Sequence, residues 1–433
     1  MDADSKALAL PAAQARERDT ITRAELVTFG LLFVGYIFYY LTRKNISVAQ
    51  VSMEQLGLLT RAQIGYLASA GTLAYAVGKL VNGVLTDRIG GKRAFALGMA
   101  GSAGATVMFA LSGGFQGFLL WWVVNSYFLS MGWGGLIRVM SYWFDRGNRG
   151  LIVGLMTVNF QIGSTLAKLF TAFLAGFSLF VWRGLFLVPA ALLTVMFMVV
   201  LFWLRERPAG HRDYREEFEK TAHRPLDLRT FAGALWRALG SPTFLLVLWA
   251  SALFTFLRTF FDDFATLWMA ASAHNASMSG YIAATFTVGG IAGTVVIGWL
   301  SDRVGSRGPF LILSGLSLAA LLFASPLFSK ASTLASVSFF LLVGFFLFGA
   351  YSIIGGVSAI DFGRHVAPAT AAGIIDGAGY VAAAGAGLLI SRLGEEGDWE
   401  RLIHRFALVT LAMTLLLLPL WWKYPKHPVR DRG

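Results

Sequence analysis

The 433-residue sequence contains no cysteine, which excludes disulfides, thiolate nucleophiles and cysteine metal sites. Charge is scarce: Asp, Glu, Lys and Arg make up 14% of the chain, where a soluble domain carries about 25%. Its six histidines are scattered, with no His, Asp or Glu at ligand spacing, so neither a metal nor another cofactor is expected. The first twenty residues mix charges of both signs and lack an apolar core before a cleavage site, so they do not read as a signal peptide. What remains is apolar. With 56% hydrophobic residues and a mean hydropathy of +0.64, the composition is not that of a soluble globular chain.

Cut into lengths of about 20–25 residues, the apolar sequence predicts twelve membrane helices. They fall near 25–52, 62–82, 92–112, 116–144, 149–176, 183–204, 242–271, 279–300, 308–327, 331–356, 368–392 and 402–422. The net charge of +12 is unevenly distributed. Arg88, Lys92, Arg93, Arg146, Arg149, Arg205, Arg207, Arg303, Arg307, Arg364, Lys423 and Lys426 all follow alternate spans, and the opposite loops hold few cations. This positive-inside pattern predicts a multi-pass inner-membrane protein with both termini in the cytoplasm. The basic excess then meets anionic lipid and calls for no nucleic-acid partner.

Landmarks recur at one spacing. Arg258 lies 215 positions after Arg43. The same offset separates Asp87 from Asp302, within Gly83-Val84-Leu85-Thr86-Asp87-Arg88-Ile89-Gly90 and Gly298-Trp299-Leu300-Ser301-Asp302-Arg303-Val304-Gly305, and separates Arg149 from Arg364. Such agreement predicts an all-α membrane protein of two homologous six-helix halves, arranged as a parallel repeat. The expected boundaries are a tail at 1–23, bundles at 24–204 and 241–422, a polar linker at 205–240 and a tail at 423–433.

Within this apolar frame, buried charge marks function. Arg43 stands mid-span, where a guanidinium costs at least about 2.5–3.5 kcal/mol. Tyr36 and Tyr40 share its helix face at i−7 and i−3. One cation beside two phenol hydroxyls suits an oxyanion; the alternative is an arginine snorkelling to the interface. Tyr75 and Lys79 form a second one-face pair, with snorkelling the alternative for Lys79. Gln161 lies on the fifth span with Lys168, which is either a cavity cation or a snorkelling lysine. On the seventh span Arg258 precedes Asp262 by one turn, the spacing of an internal ion pair. Asp376 lies about 12 Å into the eleventh span, at the depth of Lys79, and an ion pair between them is expected. The alternatives for Asp376 are a bond to a nearby hydroxyl or backbone group, or a contact to a substrate amine. Thr60 is the expected N-cap of the second helix. Arg138 closes the fourth span, within reach of Asp87.

The doubled Gly-x-x-x-Asp-Arg-x-Gly loop, with the repeat, resembles the major facilitator superfamily across residues 20–425. Within it, Tyr39-Tyr40-Leu41-Thr42-Arg43-Lys44-Asn45, Gly78-Lys79, Gly132-Trp133 with Arg138, and Leu257-Arg258 with Asp263 resemble the organophosphate:phosphate antiporters. That resemblance implies a phosphate gripped by Arg43 and Arg258, in a cavity lined by Tyr36, Tyr40, Tyr75 and Lys79. It implies exchange of a small organophosphate for inorganic phosphate by a monomeric carrier with no covalent chemistry, and Asp87, Arg88, Arg138, Asp302 and Arg303 serve its conformational cycle. The sequence departs from the pattern at Phe160, Thr255, Gly134-Gly135 and Asp376, which leaves the organic moiety open. A proton-coupled carboxylate symporter using Asp376, and a transporter-like organophosphate sensor, are the rival readings; a membrane enzyme is the most distant.

Overall fold

The computed structural model describes residues 22–143, 146–177, 182–208, 236, 240, 242–272, 275–304, 306, 308–329, 332–354, 368–393, 398–419 and 421. Side chains at 80, 84, 87, 141, 146–157, 243, 302, 368–377 and 393 lie outside that description. Inside a bilayer each backbone N–H and C=O must find an internal partner, which leaves an apolar chain of this length the helix. The described secondary structure is accordingly helical.

The first half comprises α1 (Arg23–Lys44), α2 (Ile46–Gln55), α3 (Arg61–Ile89), α4 (Gly91–Leu111), α5 (Phe115–Leu129), α6 (Met131–Trp143), α7 (Arg146–Ala175) and α8 (Gly184–Trp203). The second comprises α9 (Pro242–Ala271), α10 (Ala276–Val304), α11 (Gly308–Phe323), α12 (Ser325–Ser329), α13 (Thr333–Ser352), α14 (Pro368–Leu393) and α15 (Trp399–Leu416). These helices occupy the twelve expected spans, because three spans are each divided in two. Asn45, between α1 and α2, keeps a right-handed helical backbone (φ −57°, ψ −37°), and its side-chain amide donates to the Leu185 carbonyl at 3.0 Å. Ser130 joins α5 to α6 in a similar way, and a short break separates α11 from α12.

The 215-residue offset survives into the backbone. α10 is α3 displaced by 215 positions at both ends, and α15 begins 215 positions after α8. Local chemistry sets the starts. Thr60 caps α3 through a reciprocal box: its hydroxyl accepts from the Gln63 N–H at 3.2 Å while the Gln63 side chain accepts from the Thr60 N–H at 3.0 Å. Thr22 and Glu25 repeat the device at α1.

Buried apolar residues form two clusters, one that runs from the second half into the first and one within the first half. In the second half, Phe260, Phe261, Phe264, Phe286, Phe340 and Phe348 are wholly buried or nearly so and pack ring against ring. The first half also holds buried polar groups: Tyr39 donates to the Phe95 carbonyl at 2.5 Å, and Thr42, Ser102 and Asn125 form a buried hydrogen-bonded chain. The halves meet along two seams. One is α3 against α14; the other is α7 with α2 against α10 and α9. A cavity of about 80 Å³ lies between them.

Candidate anion site between the halves

Seven of the residues lining the cavity carry its chemistry: Arg43, Lys44, Tyr40 and Tyr75 from the first half, Arg258, Asp262 and Asp263 from the second. Arg43 is placed by α1 just before the Asn45 junction, so that its guanidinium carbon stands 4.1 Å over the Tyr75 ring and 5.3 Å from that of Tyr40. An aromatic face stabilises a guanidinium by about 0.5–2 kcal/mol and leaves the N–H edge free to donate. Arg258, on α9, stands 4.8 Å over the Tyr351 ring, and its buried Nε–H has no hydrogen-bond acceptor among the described residues. Two forked donors on opposite halves, each backed by a tyrosine, can hold an oxyanion between them.

Lys44 sits one residue beyond Arg43 but serves differently. Its ammonium bonds Asp262 Oδ2 and Asp263 Oδ1, both at 2.5 Å. Asp262 gives its other oxygen to Lys168 at 2.5 Å, and the Ser164 hydroxyl donates to that same oxygen at 3.0 Å. Two expectations change here. Lys168 neither lines the cavity nor snorkels: it is completely buried, with Asp262 as its counter-ion. Asp262 pairs with Lys44 and Lys168 across the interface rather than with Arg258 one turn before it. Helical spacing places two side chains on one face but does not stop a closer donor on another helix from taking the carboxylate.

The remaining candidates are spread over three places. Lys79 has its ammonium 4.8 Å from the Tyr380 ring and 5.7 Å from that of Tyr75. Tyr36 stands behind the cavity wall, edge-on to Tyr40 at 5.5 Å and packed on Trp133. Gln161 lies in the α7–α10 seam, donating to the Thr294 hydroxyl at 2.9 Å. The side chains of Asp376, Asp87 and Asp302 lie outside the described residues, as does the proposed Lys79–Asp376 contact. Arg88 and Arg303 are exposed, Arg303 lying 5.2 Å over Trp299, and Arg138 stands 5.8 Å from the Tyr142 ring.

Sequence reasoning missed Glu206, which it assigned to the linker. Its carboxylate accepts from the Gly91 N–H at 2.7 Å and the Lys92 N–H at 2.6 Å, capping the N-terminus of α4. Gly90, just before it, adopts φ +94°, a conformation that disfavours a side chain. Tyr351 and Tyr380 were also missed. Their signal, an aromatic face near a buried cation, arises only between helices distant in sequence.

The chain matches the Major Facilitator Superfamily over residues 32–387. It belongs to that superfamily. Superfamily members are multi-pass membrane transporters, not enzymes, and the relatives agree. A probable hexose phosphate transport protein of Chlamydia pneumoniae is 29% identical over 419 residues, covering 91% of this chain and 90% of that protein. A glycerol-3-phosphate transporter of Bacillus subtilis is 27% identical, covering 90% and 92%. The membrane sensor protein UhpC of Salmonella typhimurium is also 27% identical, covering 90% of this chain and 89% of that protein. In fold, the chain resembles the crystal structure of a bacterial homologue of the human lysosomal transporter Spinster, with a TM-score of 0.74 at 16% identity, over 94% of this chain and all of that one. The relatives' names agree with the organophosphate:phosphate resemblance drawn from the sequence.

Proposed function

We propose that this protein imports a small organophosphate across a bacterial inner membrane in exchange for inorganic phosphate, with both termini in the cytoplasm and a single chain as the working unit. The observation that carries this reading is the pair of arginines, Arg43 and Arg258, presented to one cavity from opposite halves. Two guanidiniums drawn to 4 Å repel by about 4 kcal/mol at an effective dielectric of 20. A phosphoryl dianion reverses that sign by accepting charge-assisted bonds from both forks. The loaded carrier therefore closes more readily than the empty one, which favours exchange of anions over uniport. The relatives that transport hexose phosphate and glycerol-3-phosphate support a phosphoryl group as the common element.

The test is flux in proteoliposomes. Liposomes loaded with inorganic phosphate should take up radiolabelled phosphate, or a labelled sugar or glycerol phosphate, much faster than unloaded ones. Uptake that ignores internal phosphate but follows an imposed pH gradient overturns antiport in favour of proton coupling. The likeness to a membrane sensor carries a second reading, in which the site binds organophosphate without useful flux. Saturable binding with no exchange from either compartment selects it.

A further inference from the structure

Lys168 is a cation in the interface that an anion in the cavity does not meet. It is 0% exposed and absent from the cavity wall, whereas Lys44, Asp262 and Asp263 all line it. Asp262 reaches from α9 of the second half into a socket made wholly by the first: Lys168 and Ser164 on one oxygen, Lys44 on the other. The four charges balance, two ammoniums against two carboxylates.

Position along the helices indicates what this cluster does. Lys168 lies seven residues before the end of α7, about 10 Å from the face where α3 begins, by helical rise. Asp262 lies nine residues before the end of α9 and Arg258 thirteen, about 14 and 20 Å from that same face. The ionic cluster thus stands between the arginines and that face. Outward of it the halves stay in contact, with Val48 of α2 and Ala172 of α7 against Gly280 of α10, and the Ser277 hydroxyl bonded to the Ala172 carbonyl at 2.8 Å.

We propose that Lys168 is a positioning residue for closure of this face: it holds Asp262 across the interface and sets how far the resting equilibrium lies toward the sealed state. An anion bound by Arg43 and Arg258 can draw on Lys44, its neighbour on the cavity wall. Lys168 is out of reach, so it keeps Asp262 tethered when Lys44 is shared. The tether parts only when α7 separates from α9 and water reaches the ammonium. Arg258 and Asp262 are one turn apart on α9, so a displacement of α9 at the anion reaches the tether directly.

The absence of cysteine supplies the test. Val48 is 0% exposed in the seam, away from the cavity lining, and Val48→Cys places a single thiol there. In detergent, this reporter alone should react slowly with a maleimide. Adding Lys168→Met should raise the alkylation rate roughly tenfold, with the dissociation constant for inorganic phosphate changed by less than about threefold. Asp262→Leu alone strands Lys168 and should lower the yield of folded protein. The double change Lys168→Met/Asp262→Leu strands nothing, so it should recover that yield while the thiol stays fast. A double variant that folds yet labels as slowly as the reporter alone overturns the proposal. So does Lys168→Met that leaves labelling slow while phosphate affinity falls, since Lys168 would then belong to the binding site.

Discussion

The two seams that join the halves are built on opposite principles. Along α7 and α10 the contact is made by side chains that bond: Gln161 to Thr294, Thr165 to Thr287 at 2.7 Å, Ser277 to the Ala172 carbonyl, and Lys168 to Asp262 just inside. Along α3 and α14 it is made by removing side chains. A Cβ at Gly65 would collide with the Gly387 carbonyl and the Ser391 backbone, and a Cβ at Gly387 would collide with Gly65 in return. A side-chain bond, from the Ser69 hydroxyl to the Ala384 carbonyl at 2.8 Å, crosses there, followed inward by the Tyr75–Tyr380 ring contact. The polar seam is specific in register, because each donor needs its acceptor. The glycine seam is specific in distance, because backbones in contact cannot yield. A carrier that must part and re-close gains from both: one seam selects the position of closure, and the other brings the helices near enough for closure to exclude water.

The largest expected effects lie where the seams converge on the cavity. Arg43→Lys and Arg258→Lys should each lower phosphate exchange at least about a hundredfold in proteoliposomes with charge retained, because an ammonium cannot reproduce the planar two-point fork. Near-normal exchange in either variant would remove that arginine from the site and leave the seams with no shared ligand.

Gly65→Val comes next. The added methyls meet backbone rather than a movable side chain, so exchange should fall by more than about tenfold while the protein still folds in the state open at that face. Phosphate counterflow, together with maleimide labelling of Val48→Cys, measures both halves of that statement. Unimpaired exchange would show that α3 and α14 need not close to backbone contact.

On the polar seam the corresponding change is milder. Thr165→Val deletes one hydroxyl of a bonded pair at nearly constant volume, worth about 0.5–1.5 kcal/mol, and strands the Thr287 hydroxyl only partly because that group also donates to the Ala284 carbonyl at 2.9 Å. Turnover should change by about three- to tenfold. An effect as large as that of Gly65→Val would erase the distinction between the seams.

Ser69→Ala tests the smallest term. It removes a side-chain bond of the glycine seam, and exchange should shift by less than about threefold, since the neighbouring backbone contact remains.

Much of this architecture is legible in the chain itself. Apolar runs near bilayer length, the scarcity of charge and the 215-residue recurrence determine a two-half helical membrane protein, because in lipid a helix is the local solution to backbone hydrogen bonding and depends on no distant partner. The same logic singles out Arg43 and Arg258, since a charge in an apolar run is conspicuous from its own neighbours. Sequence spacing could not assign partners. By i to i+4 geometry Asp262 belongs to Arg258; in space it belongs to Lys168 and Lys44, on helices 94 and 218 positions away. Likewise the tyrosines over the two arginines, the carboxylate that caps α4, and the glycines that bring α3 onto α14 acquire their roles only when helices pack. Burial and helical periodicity are properties of a segment, and one strand of sequence contains them. Counter-ions, stacking faces and close approach are properties of pairs, and the tertiary fold alone decides which pairs meet.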